Sequence, residues 1–336
     1  MKSMSRLLAV GLATAAMALG GCNKSEEETA STDGASTDGG QKTFVIGVIA
    51  KAQGNPVFKA ARVGALDAAK ELGDKYGVEI KIDWRTPNTE DAQQQAQFVE
   101  QLASQGVDGI AISCSDANLL TSAINDAVAR GVIVMTFDSD APDSDRMAYY
   151  GVDDTEAGAA VMEQLALEMG GEGVVAVLTG NPNATNLQAR VSGVQGEADK
   201  HEGITIFEVY DNPGEGAAEA AAKMKAVQTA NPQISGWALV GGWPLYTDNA
   251  LDGIYDKAKI VSLDPLPLPL GYLKKGQVQV LIGQPYHGWG YESVRMIMEK
   301  RMEKKDPPSE FVTSELEFVR ADQADEYIAK WNEWNK

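Results

Sequence analysis

Short apolar runs rich in β-branched residues alternate with helical stretches along most of this chain. The first run, FVIGVIA at 44–50, precedes a helix predicted over 57–73, and the second, VEIKIDW at 78–84, precedes one predicted over 89–104. Runs that are apolar almost throughout are typical of strands in sheets covered on both faces. Alternation at this spacing predicts right-handed βαβ units and parallel sheets.

The same alternation continues through the rest of the chain. Further strands are predicted at 107–113, 132–137, 147–152, 174–180, 204–210, 236–242, 258–264 and 278–284, and further helices at 117–130, 155–169, 186–201, 216–230 and 289–304. The tail ADQADEYIAKWNEWNK is predicted to be an amphipathic helix, with Trp331 and Trp334 as packing residues. Because one compact half would not hold so many strands, we predict an α/β fold of two doubly wound parallel-sheet lobes.

The N-terminus has the features of an export signal. A positively charged start, MKSMSR, precedes a mostly apolar run of 13 residues at 7–19, which is too short to span a bilayer as a helix. The run ends in LGGC at 19–22, which resembles the bacterial lipobox, in which the Cys thiol takes the lipid. The alternative is a chance Cys behind an ordinary signal. We predict a signal peptide over 1–21 and lipidation of Cys22.

The segment that follows, NKSEEETASTDGASTDGGQK, contains no large apolar residue and cannot bury enough surface to fold. Residues 22–42 are therefore predicted to be a disordered tether. The net charge of -19 disfavours nucleic acid and anionic lipid headgroups as partners. Apart from Cys22 the chain has one Cys, Cys114, so no intrachain disulfide is expected. We place the protein in the periplasm or on the exterior of the cell envelope, anchored to a membrane through Cys22.

Polar residues follow the predicted strands at the points where those strands end. They are Lys51, Ser113, Asp138, Thr179, Asn181, Trp243, Asp264 and Gln284. In open α/β sheets, ligands bind in the crevice at the carboxyl ends of the strands. Apolar strand bodies with polar ends therefore predict a small polar ligand in such a crevice.

The loop FDSDAPDSDR at 137–146 concentrates four Asp residues but does not fit a calcium loop. Counting from Asp138, the glycine and the final Glu that an EF-hand requires are both missing. A polar surface loop also lacks the environment that separates the pKa values of an acid/base pair. Asp140, Asp143 and Asp145 are therefore expected to be solvated turn residues, whereas Asp138 directly follows a strand and is expected to contact ligand.

The sequence offers little evidence of a catalytic site. The sequence has neither GxSxG nor GxxxxGK[ST], and its two histidines, His201 and His287, lack metal-ligand spacing. GEGAAE at 214–219 follows a strand and opens a helix, but Glu219 replaces the last glycine of a dinucleotide fingerprint. We therefore predict a protein that is not an enzyme, with neither a metal nor a cofactor.

Several ordered motifs resemble one known family. They are GNPVF at 54–58, GVDGIAIS at 106–113, VIVMTFDSDAP at 132–142, GVDDTEAG at 151–158, NLQARVSGV at 186–194, VSLD at 261–264 and IGQPYHGWGYESV at 282–294. In this order they resemble the type I periplasmic sugar-binding proteins, the ribose/galactose-binding family of ABC importers. The resemblance covers residues 43–318. It implies two α/β lobes that close on a sugar around a hinge.

The resemblance also implies which residues touch the sugar. Asn55 and Phe58 would contact it from the first lobe, and Asp138 would accept its hydroxyl hydrogens. Arg190 would reach it from the second lobe, unless it only pairs with a neighbouring acid. The remaining polar contacts would come from Asp264 and from Gln284, which could instead cap a strand. Lys51 and Trp243, at strand ends, complete the predicted ligand-binding residues.

Lobe boundaries follow from the same resemblance. The N-terminal lobe is expected over 43–151 plus 285–316, and the C-terminal lobe over 152–284 plus 317–336. Three chain crossings would form the hinge. We place them near Gly151–Asp153, near Gln284–Tyr286 and near Thr313–Glu317.

The sequence departs from the ribose-type pattern in ways that leave the ligand open. Ser139 stands where ribose binders place an Arg, Val57 replaces a common second aromatic, and Trp243 follows a place where a ligand-binding Asn is missing. The ligand is thus expected to be a sugar, a polyol or a related furanosyl signal. The expected role is delivery, as a monomer, to an ABC importer permease in the membrane. The alternative is a sensor that presents its ligand to a chemoreceptor or sensor kinase.

Overall fold

Two six-stranded sheets, each packed between helices, organise residues 41–334, the part of the chain that a computed structural model describes. In chain order the elements are β1 (Thr43–Ile49), α1 (Val57–Tyr76), β2 (Glu79–Arg85), α2 (Ala92–Gln105), β3 (Gly109–Ile112), α3 (Ala117–Ala129), β4 (Ile133–Phe137), β5 (Ala148–Gly151), α4 (Asp154–Met169), β6 (Glu172–Leu178), α5 (Thr185–Ala198), β7 (Gly203–Tyr210), α6 (Ala217–Ala230), β8 (Ile234–Leu239), β9 (Lys259–Leu263), α7 (Pro267–Lys274), β10 (Val280–Gly283), α8 (Tyr286–Glu303), β11 (Phe311–Thr313), β12 (Glu317–Val319) and α9 (Ala324–Trp334). The predicted signal peptide, Cys22 and nearly all of the tether lie outside these residues.

Each sheet defines one lobe. The first lobe has the strand order β11-β5-β4-β3-β1-β2, and all neighbouring strands are parallel. The second lobe has the order β12-β10-β9-β8-β6-β7, and only the edge strand β12 runs antiparallel to its neighbour. Among the described residues, no helix has both the length and the apolar character to cross a membrane. The prediction of two parallel-sheet α/β lobes is confirmed.

Alternating side chains of β1 illustrate how a strand serves two cores. Ile46 and Val48 point into a core shared with α1 and α8, whereas Ile49 points into a core shared with α2 and α3. Successive side chains of a strand lie on opposite faces, so a strand covered on both faces must be apolar at every position. This double burial explains the continuous apolar runs in the sequence.

One helix pair in each lobe packs closely through reciprocal glycines. In the first lobe, a Cβ at Gly64 would lie 1.9 Å from the carbonyl oxygen of His287, and one at Gly290 would lie 1.8 Å from that of Ala61. These contacts bring the backbones of α1 and α8 together. Helices α4 and α5 of the second lobe make a similar close contact, because a Cβ at Gly158 would lie 1.9 Å from the carbonyl oxygen of Arg190.

The largest departure from the predicted elements is α7, which sequence analysis did not anticipate. The segment contains prolines at 265, 267 and 269, a residue that is disfavoured inside helices. Pro267 and Pro269 occupy the first turn, where the backbone N–H groups have no intrahelical partner and a missing one costs little. Helix α8 also begins at Tyr286, three residues before the predicted start at 289.

The close contact between α4 and α5 predicts that alanine substitutions at two glycines of α5 change stability in opposite directions. A Cβ at Gly193 would lie 2.0 Å from the carbonyl oxygen of Thr155, whereas a Cβ at Gly196 would meet nothing within 4 Å. Gly193→Ala should therefore destabilise the protein by about 1–3 kcal/mol, the usual range for overpacking. Gly196→Ala should stabilise it by about 0.5–1 kcal/mol, because alanine favours helix over glycine. The melting temperatures of both variants test this prediction, and equal shifts from the wild-type value would contradict a close contact between the two helices.

Candidate ligand-binding site

Asp138 and Asp264 occupy matching positions in the two lobes, each as the first residue after a strand. Asp138 follows β4 with φ 58°, and Asp264 follows β9 with φ 72°. Left-handed backbone of this kind is uncommon outside glycine, and Asp and Asn tolerate it better than most residues. Both side chains are buried. The turn conformation therefore holds each carboxylate at the carboxyl edge of its sheet.

The carboxylate of Asp138 lies where the two lobes meet. Its Oδ2 accepts a hydrogen bond from Ser113 Oγ of the first lobe at 2.6 Å. Its Oδ1 accepts a longer one, 3.3 Å, from Asn186 Nδ2 of the second lobe. A carboxylate has about four acceptor sites, so Asp138 keeps capacity for further donors.

Asp264, by contrast, is fully engaged by its own chain. Its Oδ2 accepts from the backbone N–H of Gly242 and from Tyr246 OH, and its Oδ1 accepts from Gln284 Nε2 and Tyr286 OH, all within 3.0 Å. Four donors fill the acceptor sites of a carboxylate. In this arrangement Asp264 orients other side chains rather than offering free acceptors.

Arg190 is buried on α5 at the centre of this network. Its Nε donates to Asp154 Oδ1 at 2.8 Å, and its Nη2 donates to Gln284 Oε1 at 2.7 Å. Its Nη1 donates to the carbonyl of Val240 at 3.2 Å, and Nη2 lies 3.9 Å from Asp138 Oδ1. Burial by itself would lower the pKa of Arg190, but the nearby acids, Asp154 first, raise it, so the guanidinium is charged. At Asp154, burial outweighs the attraction of Arg190 and raises the pKa to about 6.

A second charged cluster links the lobes through Lys51. Its Nζ lies 3.3 Å from Glu90 Oε1 in the first lobe and 3.5 Å from Glu215 Oε1 in the second. Burial opposes the charge on Lys51, but Glu215, Glu90 and Asp138 outweigh it and raise the pKa. Glu215 also accepts a hydrogen bond from Trp243 Nε1 at 3.2 Å. Burial, opposed by Lys51 and reinforced by Glu90 and Asp138, raises the pKa of Glu215 to about 7.

Further hydrogen bonds cross directly between the lobes. Asn181 Nδ2, just after β6, donates to Glu90 Oε2 at 2.7 Å and to the carbonyl of Ser115 at 3.1 Å. Thr185 Oγ1 donates to the carbonyl of Asp140 at 2.8 Å. These contacts, with the Asn186 bond to Asp138, place the carboxyl edges of the two sheets face to face.

Two predicted residues lie apart from this network. Asn55 and Phe58 line a neighbouring cavity of about 300 Å³, together with Ala52, Gln53, Lys59, Arg62, Trp84 and Thr86. Asn55 Oδ1 accepts from the backbone N–H of Val57 at 3.3 Å, and the Phe58 ring packs 6.0 Å from that of Trp289. The other six predicted ligand residues, Lys51, Asp138, Arg190, Trp243, Asp264 and Gln284, all make contacts within the two clusters described above.

The expectation for Asp140 is wrong. Asp140 is not a solvated turn residue, because its Oδ2 accepts from Arg146 Nη2 at 2.6 Å and the Arg146 side chain is fully buried. A buried guanidinium requires a compensating carboxylate, and Asp140 is the nearest one. Asp143 and Asp145 are exposed, as predicted.

Sequence reasoning missed Glu90, Glu215 and Asn186, and it named Asn181 only as a polar residue at the end of a strand. Glu90 was predicted in the first turn of a helix and Glu215 in a polar connection, so nothing local marked either as buried. Several buried side-chain oxygens also lack a hydrogen-bond partner within residues 41–334, among them Glu90 Oε1, Ser115 Oγ and Ser139 Oγ. Buried polar atoms are normally paired, so these atoms are open to hydrogen bonds from water or from a polar ligand. Within the same residues, no cluster of three or more His, Cys, Asp or Glu side chains is arranged to hold a metal.

A family model described as a periplasmic binding protein domain matches residues 46–305. The chain belongs to this family. The prediction of a periplasmic sugar-binding type of protein, made from motif order, is confirmed at the level of the family. The family consists of binding proteins, which also agrees with the prediction that the chain is not an enzyme.

Curated proteins similar to this chain carry sugar-related names. The ribose import binding protein RbsB of Bacillus subtilis (strain 168) is 31% identical over 165 residues, which are 49% of this chain and 52% of that protein. A xylitol-binding protein of Mycolicibacterium smegmatis is 28% identical over 170 residues, 50% of this chain and 48% of that protein. The chain thus spans about half the length of the curated relatives it matches.

Solved structures match over nearly the whole periplasmic binding protein fold. An ABC transporter solute-binding protein from Burkholderia graminis C4D1M, in complex with D-arabinose, has a TM-score of 0.78 at 27% identity. The match covers 86% of this chain and 99% of that one. GanP, a glucose-galactose binding protein from Geobacillus stearothermophilus, has a TM-score of 0.76 at 25% identity, over 84% of this chain and 99% of that one.

The raised pKa of Glu215 generates a prediction about stability and pH. A carboxyl group whose folded pKa lies above its unfolded value stabilises the fold at low pH and loses that contribution as pH rises through the folded pKa. Glu215→Gln mimics the protonated side chain at every pH. The melting temperature of the wild type, relative to this variant, should therefore fall between about pH 4.5 and pH 8. A relative melting temperature that rises over this range would mean that Lys51 dominates and that Glu215 is ionised throughout.

Proposed function

We propose that this chain is a lipid-anchored extracytoplasmic solute-binding protein that captures a sugar or polyol between its lobes and delivers it to an ABC importer permease. The observation that carries the proposal is the meeting of Asp138 from the first lobe and Arg190 from the second in one buried polar network. A ligand held there would be enclosed from both sides. Ligands of open α/β sheets bind at this carboxyl edge.

The chemistry of the network suits a molecule rich in hydroxyl groups. Asp138 has unused acceptor sites for hydroxyl hydrogens, and the Arg190 guanidinium donates to oxygen. The buried indole of Trp243 supplies an aromatic surface for the C–H side of a sugar. The names of the relatives, which refer to ribose import, xylitol and D-arabinose, support a small sugar or polyol.

Short segments between the lobes supply the hinge in this proposal. They lie between β5 and α4, between β10 and α8, and between β11 and β12, and each leads from an element of one lobe to an element of the other. Few residues then absorb the change in backbone angles when the lobes close, as in hinge motions of binding proteins. These three segments correspond to Gly151–Asp153, Gln284–Tyr286 and Thr313–Glu317.

Cys22 is the anchor in this proposal, and the closed protein acts as a monomer at the outer face of a membrane. The word import in the name of the RbsB relative supports delivery to a permease. A sensor that presents the same closed form to a chemoreceptor or sensor kinase would differ only in its partner.

Ligand binding is tested first by a thermal-shift screen of the purified chain against pentoses, hexoses and polyols, followed by calorimetry with the best ligand. Asp138→Asn keeps the shape of the side chain and a residue type that tolerates φ 58°, but removes the charge. Hydrogen bonds to charged groups contribute about 1.5–3 kcal/mol, so affinity should fall about tenfold to a hundredfold. Asp143→Asn, exposed in the same loop, should change affinity less than about threefold. Equal losses at the two positions would place the site elsewhere.

The anchor is tested by replacing the thiol that would carry the lipid. In the wild type most of the protein should sediment with membranes, whereas Cys22→Ser should release it into the soluble fraction. Cys114→Ser is the matched control, because Cys114 is buried in the folded part of the chain and should leave the partition unchanged. Identical partition of wild type and Cys22→Ser would contradict the anchor.

A further inference from the structure

Acids that are buried or nearly buried outnumber buried cations where the two lobes meet. The acids are Asp138, Asp154, Asp264, Glu90 and Glu215, and the cations are Lys51 and Arg190. The excess is therefore three carboxyl groups. Nearby Arg146 does not offset it, because that guanidinium already pairs with Asp140 and Glu310.

Part of the excess lies around Lys51, which faces both Glu90 and Glu215. Its Nζ lies 3.3 and 3.5 Å from Glu90 and Glu215, beyond the 2.7–2.9 Å or so of a charge-assisted hydrogen bond. Among the described residues Glu90 Oε1 has no hydrogen-bond partner, although the side chain is only 2% exposed. Buried Ser115 Oγ likewise has no partner within residues 41–334, and the carbonyl of Ser115 shares the Asn181 amide donor with Glu90. One cation therefore serves two carboxylates at long range, beside acceptors to which no described residue donates.

Acids in such surroundings gain from a further positive charge. Burial raises the pKa of Glu215 and of Asp154, and neighbouring acids, including Asp138 in both cases, add to the effect. The hydroxyl groups of a neutral ligand would replace hydrogen bonds from water but would leave the excess negative charge uncompensated. A ligand ammonium group would compensate one carboxylate and supply three donors to free acceptors.

We infer that the ligand is cationic, an amino sugar or amino polyol whose ammonium group lies against Glu90 and Glu215 while its hydroxyl groups bind Asp138. This inference rests on the proposed function, since it names the ligand class of the same site. Glu90 comes from the first lobe and Glu215 from the second, so the ammonium group would bridge the lobes. The ligand would then close the protein by charge as well as by hydrogen bonds.

The test compares amino compounds with their neutral parents on the full chain by calorimetry at pH 7.5. The probes are glucamine, glucosamine and 6-amino-6-deoxyglucose, which place the amine at different carbons, beside sorbitol, glucose, ribose, arabinose, xylitol and N-acetylglucosamine. At least one amino compound should bind about tenfold or more tightly than its neutral parent, the gain expected from one charge-assisted hydrogen bond.

Variants then locate the ammonium group. Glu215→Gln should remove the preference for the amino compound, because it deletes one of the two charges that face it. Glu219→Gln is the matched control, since Glu219 is exposed on the helix that follows and should leave the preference intact. Circular dichroism checks that both variants fold, and the comparison of ligands on the wild type does not depend on either variant.

The possible outcomes separate the inference from the proposed function. If a neutral sugar or polyol binds and no amino compound binds more tightly than its neutral parent, the cationic ligand is wrong and sugar binding stands. A preference that survives Glu215→Gln would overturn the placement of the ammonium group. If no probe binds, amino or neutral, the proposed function falls and the inference falls with it.

Discussion

The rest of the cleft depends on the hydrogen bonds and the salt bridge that a buried guanidinium makes. Arg190 lies away from water, and a charge in that position is tolerated only when partners replace its hydration. Asp154 and the Val240 carbonyl supply two of those partners, and Gln284 supplies the third. Gln284 in turn donates to Asp264, which gathers two tyrosine hydroxyls and a backbone N–H. One cation thus fixes the carboxyl ends of several strands of the second lobe relative to each other.

The glycine seam behind Arg190 makes this geometry possible. Gly158 allows α4 to approach the backbone of Arg190 itself, so the helix that carries Asp154 and the helix that carries Arg190 are held together at their closest point. The salt bridge between those side chains is short because the backbones are already close. In the first lobe, the residues that line the cleft lie in turns after strands and not on a pair of closely packed helices. Asp138, Glu90 and Lys51 all sit in segments that follow strands.

The sequence predicted the fold well because the relevant signals are local. Continuous apolar runs, their spacing and the polar residues at their ends identify parallel strands and the edge where a ligand would bind. Asp138, Arg190 and Gln284 were predicted as ligand residues because they lie within the ordered motifs of the family resemblance. Glu90 and Glu215 were not predicted, because their burial arises only when one lobe faces the other. Asp140 was misjudged for a different reason, because its partner Arg146 is buried by the fold of the loop that both residues share.

The left-handed backbone at Asp138 and Asp264 has a consequence for how the ligand range of this chain can drift over evolution. A β-branched or bulky residue at either position would strain the turn, so Asp, Asn and Gly are the residues that keep the loop intact. Gly would abolish the side chain, and Asn would alter charge while keeping shape. Changes of specificity at these two positions are therefore confined to loss of the charge or loss of the whole side chain. Selection for a ligand of different size has to act on the neighbours, such as Ser139 and Trp243, whose backbones are free of this restriction.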